Sequence, residues 1–543
     1  MRKQFFLYCI VFSFIGKGYS YTGEAVKSFP LPCTFPAGLT YDGKNLWLAD
    51  RKADSLFCLD IETGAVIRKI ASPGYWPMGL AWDGKYLWNS DIRGGTDIYE
   101  DYNGKIYKLD PEDGTILATI TPPCKAPRGL TWDGTYLWCT DNHSDMIYQI
   151  SGDDGTLINS FPSPTRCRNG LSFSGLAWDG KYLWTTDRYK DEIYMIDPAT
   201  GYVIIIADAP GPYTRGLAYD GEFLWAVDYQ EKKLYKLKIR DDELFKKKNP
   251  RKGKIIYTHE TRNFGPGNIK TLDVHIAIPE KRTCQDIHGE VTCSPVPSEI
   301  STDQWGQKTA HFHKENMVPG KVVRYEMTMS FTLYDVDYHI YPEKVGTVDD
   351  IPKDLKEKFL ADNYKYGITD PVIQKALNEA VGDETNVYWI VRKIVQYLVD
   401  NMYYHMDGAW DTAPTIIQRG NGSCSEYSFA FISICRASGI PTRYVGSIAY
   451  QYDDEAMDEI FHRWPEVFMP GYGWIPVDPT HCDREYPRDQ AAGIGREENR
   501  YLITTQGAGN SKTLGWTYNS REFYTTDPKT NVNTDHFADW RTE

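Results

Sequence analysis

Three side chains in this sequence could together carry acyl transfer through a thioester: Cys424, His462 and Asp478. The thiol lies in Gln418-Arg419-Gly420-Asn421-Gly422-Ser423-Cys424-Ser425-Glu426-Tyr427. The imidazole opens His462-Arg463-Trp464-Pro465-Glu466-Val467-Phe468. The carboxylate closes Gly473-Trp474-Ile475-Pro476-Val477-Asp478. A thiolate is the attacking species, an imidazole moves the proton, and a carboxylate fixes the imidazole's tautomer.

The local patterns explain how each group could act. After Cys424, apolar residues recur at helical spacing at Tyr427, Phe431 and Ile434, and Gly439 and Pro441 end the run. Asn421, Gly422 and Ser423 supply turn and N-cap chemistry. Cys424 is therefore expected to open a buried helix, whose N-terminal partial charge favours thiolate. Met469-Pro470-Gly471-Tyr472 reads as a turn between two short strands. A hairpin centred on Pro470 would set His462 opposite Asp478, with both on one face. Gln418, or a backbone N–H at the helix start, is the candidate donor to the oxyanion.

Four stretches carry a resemblance: Gly422-Ser423-Cys424-Ser425-Glu426-Tyr427, Arg436-Ala437-Ser438-Gly439-Ile440-Pro441-Thr442-Arg443, His462-Arg463-Trp464-Pro465-Glu466-Val467 and Gly473-Trp474-Ile475-Pro476-Val477-Asp478-Pro479-Thr480. Together they make residues about 355–505 similar to the transglutaminase-like (transglutaminase-core) superfamily, which shares its catalytic logic with papain-like proteases. The resemblance implies Cys424 as nucleophile, His462 as general base and acid, and Asp478 as the residue that orients it. It implies an amide hydrolase or acyl transferase, such as a peptidase or amidase. Protein crosslinking and peptide N-glycanase chemistry are the variants left open. Pro465 departs from the family pattern and removes a ladder donor, so a bulge or edge strand is expected there.

Other elements must position these groups. Residues 346–543 are assigned to the catalytic domain, an α+β papain-like core. Within it, residues 353–405 carry apolar spacing for helices beneath the Cys424 helix, and 407–419 read as an irregular loop walling the cleft. Residues 255–345 alternate as strands and suggest a β-sandwich, which also resembles the domain that precedes such cores. His311 and His313 share a strand face there and are read as structural, and no EF-hand loop is present. Neither a metal nor a cofactor is called for. Residues 241–254 hold six basic side chains and read as a solvated linker.

Residues 21–240 contain a repeat. The unit Gly-Leu-(Ala/Thr)-(Trp/Tyr)-Asp-Gly starts at Gly38, Gly79, Gly129, Gly175 and Gly216, with a second tryptophan at Trp47, Trp88, Trp138, Trp184 and Trp225. Four short strands per unit is a propeller signature. The fifth unit lacks a last strand, and Lys27-Ser28-Phe29-Pro30 should complete it, giving about five blades. The Asp-Gly pairs read as hairpin turns in preference to metal ligands.

Residues 1–20 have a basic start, a short apolar run and small residues at Gly18 and Ser20, the pattern of a signal peptide cleaved after Ser20. A secreted or periplasmic protein without an integral membrane segment is expected. Ten of the 11 cysteines would remain, with Cys284 and Cys293 the favoured disulfide and Cys435 unpaired. A net charge of −14 argues against a nucleic-acid partner. The expected partner is a protein or peptide substrate, with the propeller as binding module for a glycan, wall polymer or protein. The rival reading is a non-catalytic binding protein.

Overall fold

In the computed structural model, residues 21–92, 104–166, 173–406, 410–450, 455–459 and 461–542 are described. The first 20 residues, and with them the expected signal peptide, lie outside that set. Among the described residues, no helix is long and apolar enough to cross a membrane.

The repeats form a five-bladed ring. Residues 36–71, 77–120, 127–162 and 173–208 each make one antiparallel sheet of four consecutive strands. The fifth sheet has only three strands of its own, Thr214–Tyr219, Leu224–Asp228 and Lys233–Leu237. Ala25–Pro30 adds the fourth, with Phe29 opposite Leu234. Terminal strand and last blade thus close the circle by hydrogen bonds.

Both repeated motifs have a physical cause. In every blade the motif aspartate caps a hairpin. Asp133 Oδ1 accepts the N–H of Thr135 and Tyr136, while its Oδ2 accepts the indole N–H of Trp138 at 2.8 Å. Asp42, Asp83, Asp179 and Asp220 repeat the bond to Trp47, Trp88, Trp184 and Trp225 at 2.7–3.0 Å. The aspartate carboxylates are thus structural turn groups, as their Asp-Gly context suggested. The motif glycines let inner strands of adjacent blades touch. A Cβ on Gly38 would come 2.0 Å from Met78 O, and one on Gly216 would come 2.8 Å from Ala37 O.

The sandwich is larger than its sequence segment. One sheet has the order Gln285–Ser294, Val322–Asp337, Lys246–Gly265, Asn531–Thr542, Glu455–Asp458; the other runs Glu299–Thr302, Lys308–Met317, Ile269–Ala277, Ser520–Thr526. Three expectations are corrected here. Residues 246–254 are the first half of a 20-residue strand, not a linker; Lys248 pairs with Asp337 at 2.7 Å and Lys246 with Asp208 at 3.0 Å. The strands after residue 519 belong to the sandwich rather than to the helical C-terminal layer. Cys284 and Cys293 are free thiols. Cys284 directly precedes the strand Gln285–Ser294 and Cys293 lies near its far end; on the neighbouring strand they face Tyr334 and Met327, seven residues or roughly 23 Å apart. His311 and His313 both bond to Asp273 Oδ1, at 2.9 and 2.8 Å.

The remaining layer holds α1 (Lys353–Phe359), α2 (Pro371–Ala380), α3 (Val387–Asn401), α4 (Ala413–Arg419), α5 (Cys424–Ala437), α6 (Pro479–Cys482) and α7 (Pro487–Ala492). They cover a sheet ordered Gly473–Pro476, Phe461–Met469, Thr442–Ala449, Tyr501–Gly507. α4 replaces part of the expected irregular loop: Pro414 starts it and Gly420, at φ +75°, ends it. The layer docks on blade 4. There the outer strand Val203–Asp208 is largely buried, whereas Val66–Ala71 in blade 1 is mostly exposed. Arg392 of α3 lies 4.7 Å from the Tyr202 ring, and Arg488 of α7 pairs with Glu192 at 2.5 Å.

The caps make a testable statement about the ring. Asp133→Ala leaves the buried Trp138 N–H and two turn N–H groups without their acceptor. It is expected to cost about 1–3 kcal/mol of propeller stability, read as a lower urea midpoint. An unchanged midpoint would show the bond to be dispensable.

Candidate active site

Cys424 is the first residue of α5. The start of that helix is held from two sides. Ser423 N donates to Glu426 Oε2 at 2.8 Å, and Arg419 clamps the other Glu426 oxygen at 2.6 Å. Glu426 is fully buried. Gly422 permits this packing, because a Cβ there would stand 2.6 Å from Glu426 Cβ. The Ser-x-x-Glu spacing of a capping box was present in the sequence.

His462 and Asp478 meet as the strand parity required, in a shifted register. Met469 pairs with Gly473, Phe468 with Trp474 and Glu466 with Pro476. The turn is centred on Gly471, one residue later than expected, because Gly471 and Gly473 take φ of +91° and +84°. Asp478 therefore sits diagonal to His462, still on the same face. His462 Nε2 donates to Asp478 Oδ2 at 2.6 Å. The carboxylate is also the N-cap of α6: its Oδ1 accepts Thr480 N at 3.0 Å, Thr480 Oγ1 at 2.6 Å and His481 N at 3.3 Å.

Pro465 is neither on an edge strand nor at a bulge. Its strand lies inside the sheet, and its pairing with Thr442–Ala449 is regular, Pro465 facing Tyr444. In an antiparallel ladder, one residue's N–H and C=O point to the same neighbour. Pro465 O accepts Val477 N at 2.9 Å, just past the end of Gly473–Pro476. The missing N–H faces Val477, one residue beyond the end of that neighbouring strand, so it costs a single bond at the end of the ladder.

The thiol closes the chain. The His462 side chain and the Arg463 backbone N–H both reach Cys424 and favour its charged form. With Nε2 engaged by Asp478, Nδ1 is the nitrogen left for the thiol. Burial opposes charge on Cys424, but these two bonds and the imidazolium charge outweigh it and lower its pKa. Burial likewise opposes an imidazolium, yet the charge and hydrogen bond of Asp478, with those of Cys424, hold His462 up to about 10. Both shifts favour the thiolate–imidazolium form of the pair. Cys435, deeper in the same helix, is pushed up by burial.

Several contributors were not evident in the sequence. Arg463 is buried at 0 % exposure, with its guanidinium 4.5–5.3 Å from the rings of Trp410, Phe429, Tyr444 and Tyr518. Tyr518 also bonds to Ser425, beside the thiol. Position 463 follows the histidine directly, so its backbone N–H reaches the sulfur while its side chain points to the other face of the strand, among the rings. His481 stacks on His462, centroids 5.5 Å apart, and its Nδ1 is 3.5 Å from Asp478 Oδ2. His462, Asp478 and His481 present ligand atoms within 4.8 Å of one another, so they could also hold a divalent cation. Such an ion would compete with the His462–Asp478 bond. Gln418 is exposed on α4 and is not among the residues lining the cleft. The unpaired N–H groups of the first turn of α5, which begins at Cys424, are the other candidate donors to the oxyanion.

Cys424 opens on a cleft of about 740 Å³, walled by Tyr404, Met406, Trp410, Tyr501 and Tyr518, with Arg484 and Arg500 also lining it. Residues 374–479 match the family model of the transglutaminase-like superfamily. This segment is similar to a transglutaminase-like core. It makes up about a fifth of the chain. A curated relative, the Bacillus subtilis (strain 168) protein YebA, described as uncharacterized, is 26 % identical over 118 residues. That match spans 18 % of this chain and 16 % of the relative's length. Among solved structures, a Cytophaga hutchinsonii protein proposed to be a cysteine protease is 17 % identical, with a TM-score of 0.38, covering 55 % of this chain and 100 % of that one. The Myxococcus xanthus glutaminyl cyclase is 16 % identical, with a TM-score of 0.35, covering 40 % and 97 %.

The ion pair predicts a pH profile. Iodoacetamide should label Cys424 at pH 7 at least about 100-fold faster than Cys435, and labelling should persist below the pH where an ordinary thiol, pKa about 8.5, protonates. Asp478→Asn keeps the shape but removes the charge. The imidazolium pKa then falls, the thiolate fraction falls with it, and labelling at pH 7 should drop at least about tenfold. Equal, slow labelling of both cysteines would contradict the ion pair.

Proposed function

We propose that this protein is a cysteine-dependent amide hydrolase of the transglutaminase-like type, acting on a protein or peptide. The observation that carries this reading is the chain Cys424–His462–Asp478: a thiolate at a helix N-terminus, hydrogen-bonded to an imidazolium that is 2.6 Å from a buried carboxylate. The thiolate adds to the carbonyl carbon, and helix-start N–H groups stabilise the oxyanion. His462 gives its proton to the leaving nitrogen as the C–N bond breaks. It then takes a proton from water, which adds to the thioester and releases the acid and the thiolate.

Water is the favoured acceptor because the cleft is open and Cys424 is partly exposed. An amine acceptor would turn the same steps into crosslinking. The aromatic walls suit an apolar or aromatic side chain next to the scissile amide. The propeller serves as the binding module, and the basic, then apolar, start of the chain favours export.

The test offers a glutamine peptide and a peptide amide library to the purified protein, with and without a primary amine. Hydrolysis is expected as acid product with ammonia or peptide release, lost by at least about 10³-fold in Cys424→Ala and His462→Ala. Amine conjugate as the main product would make the protein a crosslinking enzyme. Turnover unchanged in Cys424→Ala would overturn the catalytic reading.

A further inference from the structure

A basic site lies at one mouth of the propeller, although the chain as a whole carries a net charge of −14. Arg128 and Arg215 are the second residues of the inner strands Pro127–Trp132 and Thr214–Tyr219. Arg51 and Arg188 directly follow the second strands Asn45–Asp50 and Leu183–Asp187. Inner and second strands are antiparallel, with Pro36 opposite Asp50 and Thr214 opposite Asp228. The start of one and the end of the other therefore share an end of the ring, and four guanidinium groups gather there.

They alternate with aromatic rings. Arg51 lies 3.6 Å from the Trp76 centroid and 5.3 Å from that of Phe35. Arg215 lies 4.9 Å from both Phe35 and Tyr229. Tyr229 packs on Tyr213, centroids 6.2 Å apart, and Arg188 lies 5.2 Å from Tyr213 and 5.4 Å from Tyr189. The arc spans blades 4, 5 and 1.

Among the described residues, its two central arginines, Arg188 and Arg215, have buried donors that nothing accepts. Arg215 is 5 % exposed. Its Nε and Nη1, and the Nε of Arg188, are buried without a hydrogen-bond partner among the described residues. No carboxylate among those residues lies within ion-pair distance of either side chain. The nearby aspartates serve their own loops: Asp228 accepts Tyr213 N, and Asp187 accepts Thr165 Oγ1 and Tyr189 N. Burial, then the charges of Arg188, Arg128 and Arg51, push Arg215 down to about 9. Like charges crowded around buried, unmet donors fit an anion supplied from outside.

We propose that this mouth binds the oxyanion groups, carboxylate or phosphate, of an acidic saccharide. The guanidiniums take the charge, and Tyr189 and Tyr213, 47 % and 36 % exposed, offer ring faces to the sugar. The site stands on the propeller alone and does not depend on the Cys424 chemistry. It is also linked to the core. The loop between blades 3 and 4, at this same end, accepts a hydrogen bond from Arg488 N of α7 at Pro164 O, 2.9 Å.

Titration calorimetry on the full chain tests this, with tri-galacturonate as the carboxylate probe, glucose 6-phosphate as the phosphate probe and maltotriose as the neutral control. One or both anionic probes should bind, more weakly at high salt, and which one binds identifies the oxyanion. Arg188→Gln and Arg215→Gln should each weaken binding about tenfold or more. Without ligand, Arg215→Gln should keep or raise the thermal midpoint, because repulsion is relieved. Absence of binding by both anions, equal binding of maltotriose, or full affinity in Arg188→Gln would overturn the proposal. A lowered midpoint in ligand-free Arg215→Gln would assign that arginine a structural role instead.

Discussion

Asp478 is the constraint from which the site follows. A carboxylate with an 11 % exposed side chain must be hydrogen-bonded or neutralised. Here it stays charged, held well below the usual carboxylate range by His462, His481 and Thr480 against the cost of burial. A fixed anion then makes imidazolium the favoured form of His462. A fixed imidazolium in turn makes thiolate the favoured form of Cys424. Each ionisation depends on the previous one, so no member keeps its state alone.

The surroundings support that chain without entering it. Arg463 is buried behind the site in a cage of aromatic rings that includes the cleft residues Trp410 and Tyr518. Glu426 and Arg419 fix the first turn of α5, so the sulfur and the helix-start N–H groups keep one relative position. Tyr518 reaches the site from the chain segment that leads into the sandwich strand Ser520–Thr526. Gly446 makes room for it, since a Cβ there would come 2.4 Å from Tyr518 Cβ. The C-terminal strands therefore connect sandwich and cleft in one packed unit.

The propeller and the core meet through the least typical strand of the ring. Val203–Asp208 reads Val-Ile-Ile-Ile-Ala-Asp, whereas blade 1 has Val-Ile-Arg-Lys-Ile-Ala in the same place. An outermost blade strand normally faces water on one side. This one is covered by α7, with Ile204 packed against the core of the helical layer and Ala491 against the blade. An anion site at the mouth and a thiolate cleft in the core are thereby joined through the segment 478–492, which supplies Asp478, His481 and Arg488.

Much of this was legible in the chain because the causes are local. Repeats, turns and caps are short-range, so the five blades, the N-terminal closing strand and the helix that starts at Cys424 follow from spacing. The parity of His462 and Asp478 also survives a one-residue error in the turn, since faces alternate with period two. Long-range pairing is not encoded that way. Lys246–Lys248 look like a solvated run until Asp208 and Asp337 arrive from distant segments, and Cys284 and Cys293 look bridgeable until one strand holds them apart. Gln418 faces away from the cleft because α4 winds where a loop was expected. The sequence by itself determined which groups could do chemistry and the parity that lets two of them meet. Tertiary structure alone decided their ionisation, the aromatic cage of Arg463 and the gathering of four arginines, because these depend on burial and on contacts between residues far apart in the chain.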